Sequence, residues 1–225
     1  GRGWTFVVLA GVLGVLLAAA AVLVPGARPG AGARHDRPRR GARPRGPVVA
    51  LWLAFGLGSA PALAAFAQAG DLAGTPGAAA LAVTLLNLGN FAGRLVAGPL
   101  SDRFGRRAAL HVNSALLVLA CIPPALGASG PPALVALFLL GTQYGALSTL
   151  TPAATSDVVP AERFGTTYGL VFTGWGLAGL LAPVTAAALA VEIGYGGVYG
   201  FFLVVAAVSW VCAATYARLV RARTR

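Results

Sequence analysis

What most constrains this chain is a succession of apolar runs of about 20 residues, the length at which an α-helix crosses the ~30 Å hydrocarbon core of a bilayer. Seven can be read, over about residues 4–24, 48–69, 78–100, 108–126, 133–154, 167–191 and 198–217. Backbone in lipid must satisfy its own hydrogen bonds, so runs of this length imply helices. The expected fold is all-α, a polytopic membrane bundle of about seven transmembrane helices. Composition agrees, with 57% hydrophobic residues, 10% charged residues and a mean hydropathy of +0.78. Soluble domains carry roughly 25% charged residues.

Between the first two runs, residues 25–47 include GARPGAGARHDRPRRGARPRGP, with seven arginines and several prolines. That composition buries no core and predicts an unstructured loop. The expected organisation is therefore a helix over 1–24, an Arg/Pro-rich loop over 25–47, a six-helix unit over 48–219 and a tail over 220–225. All 17 basic residues are arginine, and the net charge is +11. If the 25–47 loop is cytoplasmic, alternation of the spans places fifteen arginines on that side and only Arg2 on the other. Such an asymmetry is the positive-inside pattern, and it accounts for the basic excess without a nucleic-acid partner. It implies an integral, multi-pass protein of a bacterial cytoplasmic membrane with a cytoplasmic C-terminus. The chain holds no methionine and opens GRGWTF directly into an apolar run, which reads as a fragment that has lost an upstream part.

The third and fourth runs are joined by Gly98–Arg107, GPLSDRFGRR. Two helices linked by about six polar residues are antiparallel neighbours, with Gly98 and Gly105 expected to allow close backbone approach. Asp102 is an acid among Arg103, Arg106 and Arg107, able to pair with one of them or to face a helix N-terminus. The arginines can also hydrogen-bond helix-end carbonyls or lipid phosphates.

This stretch resembles the signature of the major facilitator superfamily, the G-x-L-x-D-R/K-x-G-R-R/K loop between the second and third helices of each six-helix half. Gly98, Leu100, Asp102, Arg103, Gly105, Arg106 and Arg107 all fall in place. The resemblance implies that the seven spans are helices six to twelve of a twelve-helix transporter, with the N-terminal half missing. A narrower similarity, to the oxalate/formate antiporters and monocarboxylate transporters, is carried by NLGNFAGRLVAGPLSDRFGRR, GTQYGALSTLTPAATSD and FGTTYGLVFTGWGLAGLLAP. It implies a small anionic substrate. The oxalate transporters carry a lysine in the eleventh helix where this chain has Trp175 in FTGWG, which points away from a dicarboxylate and toward a monoanion or another solute.

The residues themselves lead to a compatible place. Arg94 is the one charged residue deep within a span, about 10 Å along the helix from Ser101 at ~1.5 Å per residue. Intramembrane charge is costly and belongs in a substrate path or at a headgroup reached by snorkelling. Thr84, Asn87, Asn90 and Arg94 follow helical spacing and give this span one polar face, which favours the path. Gln143, Tyr144 and Trp175 complete the expected substrate-binding set, and Gly98, Asp102, Arg103, Gly105, Arg106 and Arg107 the conformational motif. Other polar or aromatic stripes, such as Trp52, Phe55, Ser59 and Phe66, or Ser148, Thr151 and Thr155, are explained by packing and backbone bonding. The pairs Gly89/Gly93, Gly141/Gly145 and Gly165/Gly169 are small-xxx-small spacings suited to close helix packing.

No catalytic triad, metal-ligand spacing or phosphate-cradling loop is present, so neither an enzyme nor a cofactor or metal is expected. Cys121 and Cys212 lie within apolar runs, and His111 near Asn113 reads as a satisfied interfacial histidine. The function that emerges is transport of a small solute, most simply an organic anion such as a monocarboxylate, by alternating access in a lipid bilayer. Alternatives are a drug or metabolite efflux pump and a non-transporting membrane scaffold or receptor.

Overall fold

The computed structural model describes residues 45–74 and 76–222 and, nearer the N-terminus, residues 8, 10–12, 14–16 and 18–19. Those N-terminal residues are helical and exposed, within the first expected span. The rest of that span, the arginine-rich loop as far as residue 44 and residues 223–225 lie outside the described residues.

Five helices long and apolar enough to cross a membrane follow, α1 (Arg45–Leu72), α2 (Ala79–Phe104), α3 (Arg106–Ala125), α4 (Pro131–Ser156) and α5 (Ala161–Arg221), with a 3₁₀ turn at Pro76–Ala78 before α2. Among the described residues there is no strand. This is an all-α, multi-pass membrane bundle. Several edges move relative to the apolar runs. Helix α1 begins at Arg45 rather than near residue 48, with Pro47 in its first turn, where a missing N–H breaks no helical bond. Asp71, expected in a turn, sits in the last turn of α1.

Helix α5, at 61 residues, covers two expected spans. A straight helix of that length extends ~90 Å, three times the hydrocarbon core. The chain instead reverses at Gly194, whose φ of 66° and ψ of 171° are not helical. The reversal follows from contacts with α1. Trp52 Nε1 donates to Thr173 Oγ1 at 2.9 Å, and Ser209 Oγ donates to the Ala54 carbonyl at 2.9 Å. Thr173 and Ser209 are thus at one height, although a straight helix would set them ~54 Å apart. The N-terminal arm (161–193) and C-terminal arm (195–221) are therefore antiparallel, and no extended loop separates them. Non-glycine residues scarcely occupy this backbone region. Gly194→Ala should lower stability by about 1–3 kcal/mol, read as a reduced unfolding midpoint in detergent. An unchanged midpoint would show that the reversal survives other geometries.

Helix α1 is the most enclosed and packs chiefly along both arms of α5, while α2 packs chiefly on α4 and α3 spans α4 and α5. Two apolar clusters fill the interior. One includes Leu86, Leu117, Leu137, Tyr199 and Phe202, with the free thiol of Cys121. The other, toward the arginine-rich end, includes Leu51, Phe55, Leu110, Leu150, Val171 and Tyr216. The α2–α4 seam has no side chains at its closest points. A Cβ placed on Gly89 or Gly93 would overlap the carbonyl oxygens of Phe138 and Thr142, and one on Gly141 or Gly145 those of Leu86 and Asn90. Two of the expected small-xxx-small pairs thus interlock. The third does not, since nothing among the described residues approaches Gly165 or Gly169 within 4 Å.

Candidate functional site

The helical spacing of α2 brings Asn87, Asn90 and Arg94 to one side, as the sequence predicts. Arg94 is exposed, and its Nε donates to Asn90 Oδ1 at 3.0 Å. Asn90 is held because its own carbonyl seats against Gly145 of α4. Asn87 Nδ2 donates to the Val83 carbonyl at 2.9 Å, and Thr84 bonds the Ala80 carbonyl one turn back, so both ends of this stripe stay on the helix. Arg94 lies ten residues before the end of α2, ~15 Å at helical rise. Among the described residues no carboxylate pairs with it.

Tyr144 of α4 and Trp175 of α5 also meet, with Trp175 Nε1 donating to Tyr144 Oη at 2.8 Å. Phe66 of α1 sets its ring edge-on to Tyr144, with ring centroids 5.8 Å apart. From Trp175 an aromatic ladder runs down α5 through Phe172 (4.8 Å), Tyr168 (5.7 Å) and Phe164 (5.6 Å). The candidate residues thus form two groups, one cation and two amides on α2, and Tyr144 of α4 with Trp175 and the aromatic ladder of α5. Tyr168 and Phe172 were missed in the sequence, although Phe164, Tyr168, Phe172 and Trp175 follow a spacing of four, four and three that marks one helix face.

Gln143 does not join the Tyr144–Trp175 group. It is 1% exposed, its Oε1 has no partner, and its Nε2 is directed to the neighbourhood of Gly58 on α1. One residue further along a helix turns the side chain by about 100°, which separates Gln143 from Tyr144. The hydroxyls of Ser148, Thr151 and Thr155 bond carbonyls four residues back, as packing residues do. His111 Nδ1 accepts from Trp210 Nε1 at 2.9 Å, the satisfied interfacial role expected of it.

At the arginine-rich end the connection between α2 and α3 is shorter than six residues. Ser101 to Phe104 complete α2, Arg106 opens α3, and only Gly105 is non-helical, with φ 88° and ψ 148°. Gly105 is required by that angle and not by close approach, since a Cβ added there would meet nothing within 4 Å. Gly98 likewise makes only an ordinary contact, 3.9 Å from Thr149 Cγ2. The partner of Asp102 is Arg106, at 3.7 Å. Arg106 also bonds Ser101 Oγ and reaches Asp157 Oδ2, at the end of α4, at 3.3 Å. Arg103 and Arg107 have no acidic partner among the described residues. At the other end Tyr195 Oη donates to Asp71 Oδ2 at 2.6 Å, tying the α5 reversal to α1.

With this arrangement in view, comparison with known proteins is decisive. Residues 48–225 match the sequence model of the Major Facilitator Superfamily. The chain belongs to that superfamily. Among similar proteins, a Major facilitator-type transporter, ecdD, of Aspergillus rugulosus is 32% identical over 111 residues, 45% of this chain and 20% of that protein. A Putative metabolite transport protein, YncC, of Bacillus subtilis is 36% identical over 91 residues, 40% of this chain and 19% of its own length. A D-xylose transporter of Levilactobacillus brevis is 30% identical over 88 residues, 39% of this chain and 19% of that protein. The matched segment thus spans about a fifth of each relative. The GPLSDRFGRR corner lies within the matched residues.

Proposed function

We propose that the chain is the C-terminal six-helix part of a carrier, working by alternating access, whose solute is a small organic anion such as a monocarboxylate. The observation that carries this reading is Arg94, a guanidinium ~15 Å along α2 from its corner end, oriented by Asn90 and without a carboxylate partner among the described residues. A charge in that position needs an anion to offset its desolvation, and a planar fork of N–H donors suits a carboxylate. Asn87 and Asn90 add hydrogen-bonding groups beside it. Tyr144, Trp175 and the aromatic ladder provide an apolar surface for the remainder of the solute. The arginine-rich end, with Asp102 and Arg106 at the corner, is the cytoplasmic one by the positive-inside pattern.

A second reading, carriage of a neutral sugar, is supported by the similarity to a D-xylose transporter and by the aromatic ladder. In that case Arg94 pairs with an acid outside the described residues. The two separate in proteoliposomes of the full-length protein given radiolabelled lactate or radiolabelled D-glucose. Saturable lactate uptake that excess glucose does not compete supports the anion. Saturable glucose uptake with no lactate uptake above protein-free vesicles overturns it in favour of the sugar.

A further inference from the structure

We propose that the groove between α2, α3 and α4 beside the GPLSDRFGRR corner is a binding site for an anionic phospholipid, with one acyl chain in the groove and the phosphate on Arg103 and Arg107. The groove is a cavity of about 540 Å³, lined by Val96, Leu100 and Phe104 of α2, Val112 and Leu116 of α3, and Leu150 of α4. It runs along α2 from Gly93 to Phe104, ~16 Å at helical rise. That length matches half of a ~30 Å hydrocarbon core, one leaflet deep. A soluble phosphate compound gains nothing from such walls, whereas an acyl chain gains in proportion to its buried methylenes.

The mouth of the groove selects the headgroup. Phe104 lines the cavity, and the Arg103 guanidinium lies over its ring, 5.5 Å from the centroid. Arg107 adjoins Ala108, another lining residue. The corner's three arginines are divided in their roles. Arg106 is taken up by Asp102, Asp157 and Ser101, while Arg103 and Arg107 are exposed and have no carboxylate partner among the described residues. Two uncompensated guanidiniums at the rim of an apolar groove complement a phosphodiester with a net negative charge. Deeper in the groove, Asn113 is 5% exposed and its Oδ1 has no partner. It is an acceptor that a co-bound water, bridging to the chain's ester carbonyl, satisfies. The site is distinct from the Arg94 stripe and independent of what the carrier transports.

The test is native mass spectrometry of the delipidated full-length protein titrated with phosphatidylglycerol or with phosphatidylcholine of the same acyl chains. The expected result is preferential retention of phosphatidylglycerol. Retention should weaken roughly thirtyfold in Arg103→Ala/Arg107→Ala, since each basic side chain near a membrane surface contributes about 1 kcal/mol. Val112→Trp, at an exposed lining position, should fill the groove and lower retention while the unfolding midpoint stays unchanged. Equal retention of the two lipids, or phosphatidylglycerol retention indifferent to both variants, overturns the proposal and assigns the groove to a covering protein segment. Displacement by soluble glycerol phosphate also overturns it, in favour of a small-anion site.

Discussion

Gly141→Ala should unfold the bundle or leave it severely weakened, although it adds a single methyl group. The added Cβ would overlap the Leu86 carbonyl oxygen, and the Asn90 backbone nitrogen is also close, at 3.0 Å. Overpacking of side chains typically costs about 1–3 kcal/mol because rotamers and neighbours shift. Here the obstruction is backbone, so the α2 and α4 axes must separate along their length and lose the other three glycine contacts as well. The expected loss is therefore at or above the top of that range, about 3 kcal/mol or more. Gly200→Ala is the matched control, since nothing lies within 4 Å of that helical glycine. It should be neutral, or slightly stabilising through the ~1 kcal/mol helix preference of alanine. Unfolding midpoints of the two variants in one detergent decide the matter, and equal shifts would remove the interlocked seam from the account of stability.

The second large effect is on transport. Arg94→Ala should raise KM for the anion roughly a hundredfold, because truncating a desolvated, charge-paired arginine costs about 2–5 kcal/mol. Arg94→Lys keeps the charge and loses the planar fork, so an intermediate loss is expected. Asn90→Ala removes the acceptor that orients the guanidinium at 3.0 Å and should cost several-fold at constant expression. Initial uptake rates in proteoliposomes over a range of anion concentration give these values. Anion uptake unchanged in Arg94→Ala would take Arg94 out of the site, whatever the other variants do.

Much of the architecture was legible because helices in lipid are dictated by length and apolarity. The runs near residues 108–126 and 133–154 fall within α3 and α4 almost to their ends. The glycine pairs of α2 and α4 could be read from spacing because their purpose, backbone contact, needs no particular side chain. Gly105 and Gly194 could not be distinguished in this way, since their requirement is a positive φ that only the fold creates. The same limit affected the site. Asn87, Asn90 and Arg94 share a face of one helix and were predicted from periodicity. The Tyr144–Trp175 bond joins two helices whose relative rotation no single-helix pattern contains, and the turning of Gln143 toward α1 depends on that same rotation. The choice of Arg106 rather than Arg103 or Arg107 by the acids at the corner depends on Asp157, far along the chain.

The tight turn at Gly194 also bears on how the protein is made. With no polar connector between the arms of α5, the insertion machinery meets an apolar stretch broken by little beyond Glu192, Gly194 and Tyr195. The arms are therefore expected to partition into the bilayer together as one helical hairpin. A reporter spliced at this point would have to be carried across the membrane by a turn with almost no slack, whereas the connection between Ser156 and Ala161 offers several non-helical residues. Assembly is then pairwise at this end of the chain, and α1, which emerges before both arms, waits for a partner that arrives whole.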